Sequence, residues 1–414
     1  MDKTKPFNIS KALVYEAYQL VKVNNGAAGV DKESIAQFEE NLSGNLYKLW
    51  NRLTSGSYFP PAVKGVAIPK KQPGEYRLLG VPTVSDRIAQ MSVKLAFEPL
   101  IEPYFLADSY GYRPNKSALD AIGITRQRCW RYDYVLEFDI RGLFDNIDWE
   151  LLMKAVKKHT DNKWILLYIK RWLQAPMQMP DGSIIKRTKG TPQGGVISPV
   201  LANLFLHYVF DTWMTRNHSQ NPWARYADDG ICHCRTKEEA QALLDELSKR
   251  FTECKLELHP EKTKIIYCGT GNITHEHRKF TFLGYDFRRR SSRNRHGQIF
   301  TGFGPGVSAK ATLAMIDKIR KSGIKNRPYL SIKTIAYMFN PIINGWINYY
   351  GKYTRSGLYK MIRYFNCTLV NYLAKKYKFY KRNKDNAVNL LIRIRKHHPN
   401  LFAHWRSGME GAFV

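Results

Sequence analysis

Arg225-Tyr226-Ala227-Asp228-Asp229-Gly230 places two adjacent carboxylates between apolar, strand-forming flanks. Trp223 to Tyr226 lead in and Ile231 to Cys234 lead out with alternating character, which predicts a short hairpin with the two aspartates at its tip. Like charges a few ångströms apart raise each other's pKa, so such a tip is unfavourable unless a cation lies between or beside them. A solvated turn rich in Asp and Gly accounts for the same residues. A third carboxylate on a second strand is what separates the two readings.

Toward the N-terminus, Tyr134-Val135-Leu136-Glu137-Phe138-Asp139-Ile140 supplies that carboxylate at the end of an apolar strand. Beside an Asp-Asp hairpin this is the minimal arrangement for two divalent ions about 3.5 to 4 Å apart, each shared between carboxylates and phosphate oxygens. Mg2+ suits such a site because it takes hard oxygen ligands and keeps waters. Taken alone, Asp139 also fits an ordinary strand end.

Between these stretches, Gly190-Thr191-Pro192-Gln193-Gly194-Gly195 precedes a helix expected from Val200 to about Trp213, and its glycines suit either a phosphate cradle or a tight packed turn. Further out, Val63 to Pro69 and Tyr76 to Val81 read as two strands carrying Lys70 and Arg77, which are either solvated or able to clamp a phosphate chain. Asp86 to Leu100 predicts an amphipathic helix, and Ser109 to Pro114 a loop containing Arg113. Residues 10–55 read as helical around a loop at Asn24 to Asp31, with Leu13, Tyr15, Tyr18, Leu20 and Val21 as an apolar face. On the other side, Thr236 to Glu239 form a capping box that starts a helix with Leu243, Leu244, Leu247 and Phe251 on one face. His259-Pro260-Glu261-Lys262-Thr263-Lys264 and a short strand pair at Phe280 to Tyr285 follow.

The chain of 414 residues is 44% hydrophobic and 13% aromatic, enough for a large core in two or three domains. A net charge of +30 goes far beyond what solubility requires and points to a polyanionic partner. The six cysteines show neither a disulfide nor a zinc pattern, and Cys232-His233-Cys234 reads as strand alternation. No signal-like region opens the chain and no apolar run of about 18 residues occurs, so a cytoplasmic or nucleoid-associated protein without membrane contact is expected.

Taken in order, Phe138-Asp139-Ile140, Gly190 to Gly195 with Ser198-Pro199, Tyr226-Ala227-Asp228-Asp229 and Phe282-Leu283-Gly284 resemble a bacterial group II intron reverse transcriptase, or intron-encoded maturase, from about Asn24 to the end of the chain. The resemblance implies an α+β right-hand polymerase. An N-terminal fingers extension would span residues 1–60, fingers and palm with a small antiparallel sheet 61–300, and an all-helical thumb and maturase domain 301–414. It implies two Mg2+ ions, with Mn2+ an acceptable substitute, held by Asp139, Asp228 and the backbone of Ile140, with Asp229 adjacent. Lys70, Arg77 and Arg113 fall where the family binds the triphosphate. Phe144 falls below the incoming sugar, where an aromatic ring excludes a 2′-hydroxyl and selects dNTPs. Gln193 would touch the nascent pair or template. Lys262 would donate a proton to the leaving pyrophosphate, with Lys264 as its rival.

From Lys310 onward, 21 Lys or Arg stand against three acids (Asp317, Asp385, Glu410), placing +18 of the net charge there. Interleaved aromatic rings give this region the composition of a nucleic-acid groove, although about half of those rings are expected in the core. Trp346, Tyr349, Tyr350, Lys352, Arg355, Lys375, Lys376 and Lys378 are the candidate RNA contacts. Asn340 to Tyr350 resembles the maturase signature and implies binding of group II intron RNA, help with its splicing and copying into cDNA during retrohoming. The implied partners are an RNA template with DNA primer, dNTPs and a DNA target. A dimer on RNA is left open, and no His-Asn-His endonuclease is expected. A non-enzymatic splicing cofactor and a reverse transcriptase domesticated for phage defence or repair are the alternatives.

Overall fold

A computed structural model describes residues 5–69, 76–269, 271, 274–293, 296–377 and 384–411. Lys70 and Lys378, two of the expected contacts, lie outside these residues. The chain divides into two compact units, residues 1–121 with 136–265, and residues 122–135 with 266–414. These units do not coincide with the boundaries expected after residues 60 and 300.

In the first unit, β1 (Val63–Pro69) and β2 (Tyr76–Val81) pair antiparallel, as the alternation predicted. The first residues of β1 also pair in parallel with the short β4 (Met177–Gln178), which in turn pairs with β5 (Ile184–Ile185). A second four-stranded sheet runs in the order β6-β7-β3-β8, with β3 at Tyr134–Asp139, β6 at Trp223–Tyr226, β7 at Asp229–Cys234 and β8 at Lys264–Tyr267. The division between the units falls within β3 and β8. Phe138 packs with Phe210 and Phe251, and Phe210 with Trp223, at centroid distances of 5.0, 5.9 and 5.1 Å. Such burial of large rings carries much of the folding free energy.

Three local expectations are corrected here. The helix Lys11–Asn24 buries Val14, Ala17, Tyr18 and Val21 and exposes Tyr15 and Leu20, so the expected face mixed two sides of one helix. The helix Val84–Ile101 is buried nearly all round from Val84 to Val93 instead of being amphipathic. It seats Asp86 inside, where the carboxylate accepts from Tyr58 Oη (2.7 Å), Trp172 Nε1 (2.7 Å) and Gln90 Nε2 (2.9 Å). Cys232, His233 and Cys234 are all buried, so β7 is covered on both faces and does not alternate. The capping box at Thr236 is present and starts the helix Lys237–Glu253.

In the second unit, β9 (Lys279–Phe282), β10 (Tyr285–Arg293) and β11 (Ile299–Val307) form an antiparallel sheet. Leu283 (φ 50°) and Gly284 (φ 82°) form the two-residue turn between β9 and β10. β11 extends into the segment expected to be wholly helical, and helices follow from Ala309–Lys321 onward. Ile335, Phe339 and Ile343 of the helix Ile332–Tyr350 and Phe365 and Leu369 of the helix Tyr359–Lys376 share one core with Phe402 and Trp405. None of the described helices is long and apolar enough to cross a membrane.

Candidate active site

β6 and β7 pair from Trp223 against Cys232 to Tyr226 against Asp229, which leaves Ala227 and Asp228 as the two turn residues. Ala227 has φ 58°, the sign that two-residue hairpin turns require and that a non-glycine residue adopts at a cost. Gly230 is set by the neighbouring strand: a Cβ there would stand 2.0 Å from the Phe138 ring. The sheet order puts β7 beside β3, which ends in Asp139. The two carboxyls of the hairpin are both raised, Asp229 to about 7. Desolvation is the main cause for each; Asp228 and Asp139 then act on Asp229, and Asp139 acts on Asp228.

Lys262 reaches the cluster, with Nζ 2.8 Å from Asp139 Oδ2. Its segment is fastened alongside β3, since His259 N donates to Asp139 O (2.8 Å) and Arg141 N to Glu257 O (2.9 Å). These bonds flank the Ile140–Leu258 bridge, so the Ile140 carbonyl lies outside that ladder. Among the described residues, no three or more His, Cys, Asp or Glu side chains are already gathered as a metal site. The cluster is an open set of hard oxygen donors, the type that Mg2+ completes with waters and substrate phosphates.

The glycine-rich loop is a tightly packed turn. Gly194 adopts φ 117°, and a Cβ there would stand 2.6 Å from Gly80 O. Gly80 N donates to Gln193 O (2.8 Å), Val196 N to Gln90 Oε1 (2.8 Å) and Thr191 N to Phe144 O (2.6 Å). The loop thereby holds Phe144, whose ring is buried, and carries Gln193. Gln193 Nε2 donates to Asp145 Oδ2 (2.8 Å) while its Oε1 accepts from Arg77 Nε (2.5 Å), so these two expected nucleotide contacts meet.

Arg113 does not join them. Its guanidinium is nearly buried and donates to Glu102 Oε1 (2.7 Å) and to the Leu106 and Ser109 carbonyls (2.7 Å each), which fastens its own loop. The buried Arg225, with Asp211, Asn203 and Ser109 around it, was missed from the sequence. An arginine beside a carboxylate hairpin was the one available signal.

In the second unit several expected RNA contacts are structural. Tyr349 Oη donates to Leu283 O (2.8 Å), Tyr285 Oη donates to Tyr349 O, and the rings of Tyr349 and Tyr350 pack on Tyr285. Lys376 Nζ donates to the Leu330 (2.6 Å) and Pro328 (2.9 Å) carbonyls, and Trp346 packs half-buried on the core. Lys375 is exposed and donates to Asn326 Oδ1 (2.7 Å), Arg355 is exposed, and the Lys352 ammonium lies 5.9 Å from the Tyr353 ring centre. Tyr337, at 83% exposure, was not among the expected contacts.

Residues 68–287 match the reverse transcriptase (RNA-dependent DNA polymerase) family, and residues 312–388 match the group II intron maturase-specific domain. Protein YkfC of Escherichia coli is 30% identical over 67% of this chain and 81% of its own length. The group II intron-encoded protein LtrA of Lactococcus lactis is 27% identical over 82% of this chain and 68% of its own. A putative COX1/OXI3 intron 1 protein of Saccharomyces cerevisiae is 30% identical over 41% of this chain and 20% of its own. With the family match covering more than half of its residues and a maturase-specific domain behind it, the chain belongs to the reverse transcriptases of the group II intron type, which are RNA-directed DNA polymerases.

Proposed function

We propose that the chain extends a DNA primer on an RNA template at Asp139, Asp228 and Asp229 with two Mg2+ ions. We also propose that its C-terminal unit binds the parent group II intron RNA, assists splicing and carries the intron to a DNA target. The meeting of Asp139 with the Asp228–Asp229 hairpin, with Lys262 on Asp139, is the observation that supports this most. The residues fit the ions, because the burial and neighbouring carboxylate charge that raise Asp228 and Asp229 are relieved by a cation, and the Ile140 carbonyl is a further hard donor. When bound, the ions would neutralise the charge that develops on the attacking and leaving oxygens.

The remaining steps belong to the chain's own residues. Arg77 binds the triphosphate, and Lys262 gives a proton to the leaving pyrophosphate. Gln193 is tethered between Arg77 and Asp145 and meets the nascent pair. The Phe144 ring, held by the loop at Thr191, closes the space a 2′-hydroxyl would need. In the second unit, Lys352, Arg355 and Lys375 contact RNA phosphates.

Primer extension on an RNA template with Mg2+ and dNTPs tests the first part: labelled cDNA is expected, and none from the wild type defeats it. Intron RNA spliced in low Mg2+ with and without the protein tests the second. Equal rates would remove the maturase role and leave the polymerase standing.

A further inference from the structure

Arg225 sits two residues before the strained Ala227, and the polymerase cluster as described gives it no task. Its side chain is fully buried and all five of its N–H donors have acceptors. Nε donates to Asp211 Oδ1 (2.7 Å), and Nη2 to Asp211 Oδ2 (2.7 Å) and Ser109 Oγ (2.8 Å). Nη1 donates to Asn203 Oδ1 (3.1 Å) and to the carbonyl of Ala227 (3.0 Å). The last bond reaches the turn itself.

The main chain repeats the pattern. Arg225 N donates to Asp108 O and Tyr110 N to Arg225 O, both at 2.9 Å, so the 108–110 segment is laced to the lead-in strand of the hairpin. Asn203 Nδ2 donates to Gly111 O (2.5 Å), and a Cβ on Gly111 would stand 2.4 Å from Ala227 N. Asp211 ends the π-helical turn His207–Asp211, an irregularity often found at functional sites. The loop at Asp108 to Gly111, the continuous helical run that carries Asn203 and Asp211, and the hairpin itself therefore converge on one guanidinium that holds one carbonyl. A non-glycine residue at positive φ persists only where its surroundings over-determine it, and Ala227 has such surroundings.

We propose that Arg225, with Asp211 as its counter-ion, is a positioning residue of the polymerase. It fixes the Ala227–Asp228 turn so that Asp228 faces Asp139 before any ion or nucleotide arrives. A lysine cannot do this, because it offers three donors from a point where the guanidinium offers five in a rigid fork. The proposal rests on the reading of Asp139, Asp228 and Asp229 as the polymerase site.

The test compares Arg225→Lys and Asp211→Asn with the wild type by melting temperature, by amide hydrogen exchange over residues 223–234 in metal-free protein, and by single-turnover nucleotide addition across a Mg2+ titration. The expected result is faster exchange over 223–234, a higher Mg2+ requirement and a kcat lower by about 10²-fold, since displacement of a catalytic group by about 1 Å costs that much, with the dNTP KM nearly unchanged. Added guanidinium should restore part of the rate to Arg225→Ala. Ser109→Ala removes a single acceptor and gives the same changes in smaller measure, which keeps the test open if the stronger variants do not fold. A folded Arg225→Lys protein with wild-type exchange and a wild-type Mg2+ curve overturns the proposal, as does a rate loss that only follows the unfolded fraction. Full activity in Asp228→Asn would overturn the site reading itself, whatever the Arg225 variants do.

Discussion

The two units handle charge in opposite ways. Among the described residues, every buried Asp and Arg (Asp86, Arg87, Asp211, Arg225) lies in the first unit, which holds the carboxylate hairpin. The buried polar side chains of the second unit are neutral: Thr125, Ser308, Thr312, Asn366, Thr368 and His404. His404 Nε2 donates to Asn366 Oδ1 (3.0 Å), and Asn366 Nδ2 donates to Glu410 O (2.8 Å). A unit that must hold repelling carboxylates in place uses an oriented internal ion pair, which is costly and specific. A unit that only has to present cations to a polyanion needs an apolar, neutral interior and a basic exterior.

The largest effect expected from this contrast is on stability. Asp211→Asn leaves Arg225 buried with its charge uncompensated, a loss of about 3–5 kcal/mol, whereas His404→Gln keeps a donor toward Asn366 and costs about 1 kcal/mol. Denaturant melts of the two variants check this, and equal losses would break the comparison. Next in size is RNA binding. Replacing Lys352, Arg355 and Lys375 together with alanine should reduce the slope of log affinity against log salt by about 2–3, at about 0.7–0.9 per phosphate contact, with an unchanged melting curve. A binding isotherm at several salt concentrations reads it.

A pH effect comes third. Burial holds His404 down at about 3 and His207 down at about 4. Both are depressed below the ordinary value near 6.5, so the unfolded chain takes up protons first as pH falls. Their contribution is therefore full above pH 6.5 and is lost progressively toward pH 4. His404→Gln should flatten the part of that decline due to His404, which melting curves at pH 7 and pH 4.5 would register. The smallest expected effect is at Thr236→Ala, where loss of the exposed helix cap costs about 1 kcal/mol in melting experiments and leaves both polymerase rate and RNA affinity alone.

What the sequence disclosed was what depends on local pattern. The Asp-Asp hairpin, the strand ending in Asp139 and the Thr236 capping box are written in neighbouring residues. The choice between Lys262 and Lys264 was open because both lie on one segment; Lys262 is the one found on Asp139. The expected contacts found bonded within the protein share a physical cause. Arg113, Tyr349, Tyr350 and Lys376 have the composition of ligand contacts, but their partners are carbonyls, carboxylates and rings that lie close only after folding. The Arg225 network was invisible for the same reason, since Ser109 lies on a distant loop and Asn203 and Asp211 are on different turns of the preceding helical run. Residue type alone does not say whether a guanidinium faces a phosphate or a buried aspartate.

The most direct test is single-turnover primer extension by Asp228→Asn at saturating template, beside an RNA-binding isotherm of the same protein. The account predicts that nucleotide addition falls below detection while RNA affinity and melting temperature stay at wild-type values. Continued cDNA synthesis by a folded Asp228→Asn protein would contradict it.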